Sequence, residues 1–209
     1  HAPHSSAPGG NLPHYITPFV GRRLELAELL RRLHDPECRL LTVVGPGGMG
    51  KTRLALAAAQ AIVQAAISTS VPAGTTAPLL PSPGFRDGVY FVPLQPVGTP
   101  DRLLSAVADV LGLRFYENES PHRQLLHFLQ SKEALLVLDN FEHLLDAAGL
   151  VGEILAVAPG VKLLVTSREA LKLQEEWFHP ITGLRLSAHG AADPGVGSVS
   201  AAPAASDAF

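Results

Sequence analysis

The sequence predicts an α/β fold of three layers, with helices on both faces of a mainly parallel sheet. Two observations carry this. Leu40–Val44, Val89–Val92, Leu135–Leu138 and Leu163–Val165 are short runs that are apolar throughout, the form taken by strands covered on both faces. Helical stretches alternate with them, at Arg23–Leu33, Lys51–Ile67, Asp101–Leu111, Pro121–Gln130 and Phe141–Val157, and such alternation builds a parallel sheet through right-handed crossovers. Trp177–Ile181 is the candidate fifth strand.

Each element has a local reason. Arg23–Leu33 sets Leu26, Leu29, Leu30 and Leu33 on one helical face and its charged residues largely elsewhere, so its arginines read as a solvated face. Lys51–Ile67 is rich in the helix formers Ala, Leu and Gln. Ser68–Gly88 breaks the rhythm with Pro72, Gly74, Pro78, Pro81, Pro83 and Gly84 and reads as a long surface insertion. His1–His14 is rich in Pro, Gly and Ser, without an apolar period, and reads as a flexible lead-in. Its histidines, His1, His4 and His14, lack the acidic or thiol partners of a preformed metal site. Ser187–Phe209 is composed like a linker, which leaves residues 15–186 as one folded domain.

Composition narrows the function. Sixteen Lys+Arg against 19 Asp+Glu give a formal net charge of −3, without the basic excess that a nucleic-acid or membrane surface would demand. No breaker-free apolar run of spanning length occurs, and no secretory signal opens the chain. A single cysteine, Cys38, forms no internal disulfide and fits a reducing, cytoplasmic setting. The first residue is His1 rather than Met, which suggests a segment of a longer protein.

Gly45-Pro46-Gly47-Gly48-Met49-Gly50-Lys51-Thr52 satisfies G-x-x-x-x-G-K-[ST] between a predicted strand and a predicted helix, where a phosphate-binding loop belongs. Its glycines let backbone N–H groups turn inward on phosphate oxygens, and the following helix adds the positive end of its dipole. Lys51 would neutralise the β and γ phosphates, and the Thr52 hydroxyl would ligate Mg²⁺. Asp139 ends the apolar run Leu135–Leu138 and is the second Mg²⁺ ligand expected of such a site, the alternative being a helix cap formed by Asp139 or Asn140. Asn140 stands where many such ATPases carry a second acid. Glu142 is then the candidate general base, reaching back from the first turn of a helix beside His143; the alternative is a solvated helix residue. Thr166, Ser167 and Arg168 end another buried run, and Arg168 is placed to meet the γ-phosphate unless it only opens a solvent-exposed helix.

With these motifs in register the chain resembles the nucleotide-binding domain of the STAND class of signalling ATPases. It is most similar to the NB-ARC-like domains of large bacterial LuxR-type and SARP-type regulators. The residues that carry the resemblance are Thr17-Pro18-Phe19-Val20-Gly21-Arg22-Arg23, Gly45–Thr52, Leu135–His143 and Leu164–Leu171. The resemblance implies a P-loop NTPase sheet in the order 5-1-4-3-2. It also implies an ATP/ADP and Mg²⁺ site formed by Val20, Arg22, Gly45, Pro46, Gly47, Gly48, Met49, Gly50, Lys51, Thr52 and Arg53. Thr52 and Asp139 would be its metal ligands, and Lys51, Asp139, Glu142 and Arg168 its catalytic set. Arg23 departs from the family's Glu at that position, with Glu25 near enough to substitute. The family's winged-helix part, with its G-x-P turn and ADP-contacting histidine, is not found after Leu186. The implied function is a switch, ADP-bound at rest and ATP-bound when competent to assemble, hydrolysing slowly. The alternatives are an AAA+-type motor and a nucleotide-binding scaffold that never hydrolyses.

Overall fold

The structure, a computed structural model, describes residues 10–13, 21–69 and 84–183. Five strands, β1 (Leu40–Val44), β2 (Gly88–Pro93), β3 (Ala134–Asp139), β4 (Val161–Ser167) and β5 (Glu176–Pro180), form one sheet in the order β2-β3-β4-β1-β5. Every neighbouring pair is parallel. This is the expected order read from the opposite edge. The helices are α1 (Arg23–His34), α2 (Lys51–Thr69), α3 (Pro100–Val110), α4 (Pro121–Leu129) and α5 (Ala148–Val157). Among the described residues, no helix is long and apolar enough to cross a membrane.

Alternation along each strand divides the apolar residues between two cores. Leu41, Val43, Leu135, Val137 and Leu164 pack with Leu29 and Leu33 of α1 and with Leu54, Ala55, Ala58, Ala59 and Ile62 of α2. Leu40, Leu136, Leu138, Leu163 and Val165 point the other way, onto Leu103 and Val107 of α3, Leu125 and Leu129 of α4, and Val151, Ile154 and Leu155 of α5. The alanines on the inner face of α2 are fully buried and add little bulk, so the helix that follows the glycine-rich loop lies close to the sheet.

Three expectations need revision. The helix expected over Phe141–Val157 begins only at Ala148; before it come two 3₁₀ turns, Phe141–His143 and Leu145–Ala147. Asn140 adopts a left-handed conformation, φ 68°, which turns the chain away from helix as it leaves β3. The flexible reading does not extend to residues 10–13: Gly10 bridges to Val89, and the Asn11 carboxamide pairs with both backbone groups of Phe91 at the open edge of β2. Of the expected insertion over Ser68–Gly88, α2 takes in Ser68 and β2 begins at Gly88, while residues 70–83 lie outside the described residues. The expected linker from Ser187 onward and the histidines at 1, 4 and 14 also lie outside them.

At the amino ends of the strands, two basic side chains close helix C-termini. Arg39 donates to Leu155 O (2.6 Å) and Ala158 O (2.5 Å) at the end of α5 and to Val161 O (3.2 Å) at the start of β4. Lys162 donates to Leu33 O (2.9 Å) and Asp35 O (2.5 Å) at the end of α1. Cys38 lies buried nearby, and burial pushes its thiol up to about 11, so it stays protonated. Arg39→Ala frees three carbonyls at once; it is expected to lower unfolding stability by about 2 kcal/mol in denaturant titrations, with the α/β circular dichroism retained.

His179 on β5 is 5% exposed, and neither ring nitrogen has a hydrogen-bond partner. Burial lowers its pKa from the ordinary 6.5; Arg32 and Arg22 add to this and Glu28 and Glu25 oppose it. The unfolded chain therefore accepts a proton at pH values where the native ring refuses it, and stability falls as pH drops below about 6.5. Replacing the ring removes this component, so the stability of His179→Phe relative to the parent should rise between pH 7 and pH 5 in parallel urea titrations.

Candidate functional site

The carboxyl ends of β1, β3 and β4 meet above the start of α2. Gly45 leaves β1 with its N–H on Ser167 O (3.3 Å), and a Cβ there would come within 2.8 Å of Ile181 O, so the close approach requires glycine. Gly48 and Gly50 have φ of 75° and 80°, a backbone conformation that L side chains rarely adopt. Pro46, Gly47 and Gly48 are exposed, and Met49 packs against the core beneath α1 and α2. Thr52 and Arg53 sit in the first turn of α2, which contains no acidic residue, so nothing on the helix opposes the positive end of its dipole. Lys51 is buried, and its Nζ donates to Gly45 O (2.7 Å) and Pro46 O (3.0 Å), folding the ammonium back onto its own loop.

Asp139, at the end of β3, joins these parts. Its Oδ1 accepts from the Thr52 hydroxyl at 2.7 Å and from the Thr166 hydroxyl at 2.6 Å. The Thr166 oxygen in turn accepts the N–H of Asn140 at 2.9 Å. A carboxylate and a hydroxyl held together at the mouth of a glycine-rich loop are hard oxygen donors of the kind Mg²⁺ takes alongside phosphate. The donor set therefore fits a Mg²⁺-nucleotide.

The turn after Asn140 brings Glu142 and Arg168 together, with Oε1 and Nε 2.9 Å apart. Glu142 Oε2 is buried without a partner, while the Arg168 guanidinium lies over the loop, its Nη2 3.5 Å from where a Gly47 Cβ would stand. His143 ties this turn to the segment after β2. Its Nε2 lies 3.0 Å from Leu94 O and 2.7 Å from Val97 O, and two carbonyl acceptors require that nitrogen to carry the proton. The opposite nitrogen is 3.4 Å from the Asn140 amide nitrogen.

Two buried groups brace the surroundings. Both carboxylate oxygens of Glu176 accept backbone N–H groups, from Leu171 (3.0 Å) and Lys172 (2.9 Å), and hold the loop that runs from Arg168 to β5. Lys172 is left-handed in that loop, φ 63°. Arg22, left-handed and buried at the start of α1, donates to Thr182 O (2.8 Å) and pairs with Glu25 (3.3 Å). Glu25 is the acidic partner of Arg22 at the start of α1.

The structure brings the expected residues from Gly45 to Arg53 together with Asp139, Glu142 and Arg168. It places Glu142 in a 3₁₀ turn rather than in the first turn of a helix, because α5 starts later than expected. Arg22 lies at the exit of β5, on Thr182 O next to Ile181, the residue that Gly45 approaches, and Val20 lies outside the described residues. Sequence reasoning missed the anchoring by His143 and the brace of Glu176. His143 follows Glu142 directly and was readable as part of the motif; Glu176 had no such signal, since its partners are backbone amides with no side-chain identity.

Comparison with known proteins agrees with this geometry. The family model described as AAA ATPase domain matches residues 18–157. A Mycobacterium tuberculosis protein whose name describes an HTH-type transcriptional regulator is 36% identical over 139 residues, 66% of this chain and 13% of that protein. An uncharacterized protein of the same organism is 34% identical over 174 residues, 83% of this chain and 39% of its own length. The chain thus spans well under half the length of these relatives. The Aeropyrum pernix ORC2 protein in its ADP form aligns with a TM-score of 0.51 at 16% identity, covering 79% of this chain and 50% of the other, a likeness of fold.

Glu176→Ala leaves the N–H groups of Leu171 and Lys172 without their acceptor. Stability should fall by about 2–3 kcal/mol, and amide hydrogen exchange at these two residues should accelerate more than at the centre of β4.

Proposed function

The chain belongs to the AAA ATPase domain family, and from that premise we propose that it is the ATP/ADP-binding part of a STAND-type signalling switch. In this reading the longer parent chain is a cytoplasmic bacterial regulator. It supplies winged-helix and repeat or sensor domains, and the nucleotide state controls its assembly. The observation that carries the reading is Asp139 Oδ1 shared by Thr52 and Thr166, with Asn140 next in sequence hydrogen-bonded to the same threonine.

In this role Gly45–Thr52 and Arg53 cradle the phosphates, Lys51 exchanges its loop carbonyls for phosphate oxygens, and Thr52 and Asp139 hold Mg²⁺. The metal supplies charge neutralisation across the phosphates. Arg22 and the residue at position 20 are the ones assigned to the base in this reading. A switch must keep its ATP state longer than the signal lasts, and two features favour slow turnover. Asn140 offers no carboxylate where many relatives of this fold carry one. Glu142, the candidate base, has one oxygen committed to Arg168 and must act through the other. The size of the relatives supports a longer parent, since one of them is named as a regulator and this match fills only 13% of its length.

Calorimetry with Mg-ADP and Mg-ATP tests the site. Binding by the parent should weaken by about a hundredfold or more in Lys51→Ala, and by about tenfold in Thr166→Val, where Asp139 loses one of its two hydroxyl partners. Unchanged affinity in Lys51→Ala overturns the assignment. Turnover by the parent should stay below about 0.1 per second; rates of tens per second would mark a motor instead.

A further inference from the structure

The Glu142–Arg168 pair is poorly explained by stability. The Arg168 side chain is 65% exposed and that of Glu142 15%. An ion pair open to solvent on one side adds little to folding stability. Against that, Glu142 Oε2 is buried with no hydrogen-bond partner, which opposes folding. The arrangement is therefore close to neutral or unfavourable for folding.

Its geometry does serve the loop. Glu142 Oε1 forms an ion pair with the guanidinium and approaches it closest at Nε, 2.9 Å away. That contact ties the guanidinium to the turn that follows β3. The guanidinium lies across the Gly47 position, with Nη2, Cζ and Nε 3.5, 3.7 and 3.8 Å from where a Cβ would stand. Glu142 is itself held in place. Asn140 hydrogen-bonds to Thr166 on one side of it, and His143 is anchored to Leu94 and Val97 on the other.

We infer that Glu142 is a positioning residue that sets Arg168 over the phosphate loop, so that the ratio of nucleoside triphosphate to diphosphate affinity depends on this pair. The inference rests on the nucleotide-binding reading above and extends it. Arg168 supplies the charge that answers a third phosphate, and Glu142 supplies the direction. Glutamine at position 142 keeps an oxygen acceptor for Nε and so keeps the direction, whereas alanine loses it. A residue acting purely as a base would show the reverse pattern, with glutamine as damaging as alanine for hydrolysis and neither altering the affinity ratio.

The test is calorimetric titration of the 209-residue chain with Mg-ADP and with a non-hydrolysable Mg-ATP analogue. It compares the parent with Glu142→Ala, Glu142→Gln, Arg168→Ala, Arg168→Lys and the Glu142→Ala/Arg168→Ala double variant. Arg168→Ala and Glu142→Ala should each lower the triphosphate-to-diphosphate affinity ratio about tenfold, and the double variant should be no lower than Arg168→Ala alone. Glu142→Gln should stay within about threefold of the parent. Arg168→Lys, which lacks Nε and the planar fork, should behave like Arg168→Ala and provides an independent arm should Glu142→Ala fold poorly. The inference is overturned if Glu142→Ala leaves the ratio unchanged, if Arg168→Ala or Arg168→Lys does so, or if the effects of the two alanine substitutions multiply. A parent that binds neither nucleotide overturns the underlying reading as well, and is recognised before any variant is measured.

Discussion

One carboxylate oxygen holds the site together. Asp139 Oδ1 receives hydroxyls from the start of α2 and from the end of β4, so three segments far apart in sequence converge on one acceptor. Each partner would be expensive to leave alone at this depth, where a half-buried polar group that loses its partner cannot recover full solvation. The shared oxygen therefore fixes the position of the glycine-rich loop relative to β3 and β4. It also explains why the apolar run of β4 gives way to Thr166: the strand becomes polar where its end reaches the carboxylate.

The positive groups around the loop are held by weak or replaceable partners. Lys51 points to carbonyls of its own loop, which carry only partial charge, and Arg168 leans on a single carboxylate oxygen. The first turn of α2 adds the positive end of its dipole and carries no acidic side chain of its own. A polyanion meeting this loop exchanges partial charges for full ones at Lys51 and finds Arg168 already turned toward Gly47. The loop is thus arranged for an anion before one arrives, which limits the reorganisation that binding demands.

Much of this was legible in the sequence because its signals are local. Leu135–Leu138 could only be a strand covered on both sides, and Gly45–Thr52 combines spacing, composition and flanking elements in one short string. The sheet order came from resemblance rather than from any residue pattern. What escaped were features set by tertiary partners. The start of α5 was misplaced because Phe141–Leu145 is as apolar as a helix turn, and only the left-handed Asn140 and the tether of His143 divert it. Glu176 was invisible because its role is to satisfy backbone N–H groups, and Asn11 because it imitates backbone at a strand edge. The pairing of Glu142 with Arg168 needed the crossing from β3 to β4, a separation no spacing rule encodes.

The two ends of the sheet divide the labour of stability and function. At the amino ends, Arg39 and Lys162 meet backbone carbonyls at the ends of α5 and α1, and the charges close helices that would otherwise end in unpaired acceptors. At the carboxyl ends, charged groups are only partly matched: Glu142 keeps a buried oxygen without a partner, and Arg168 is largely open. Each end keeps one buried unpartnered atom, Arg39 Nε at the amino end and Glu142 Oε2 at the carboxyl end, and only the second lies beside the glycine loop. The mismatch around Glu142 and Arg168 is therefore tolerable because it is confined to side chains. The strands that present them are parallel, centrally placed and packed on both faces, so exchanging partners at their tips need not disturb the sheet beneath.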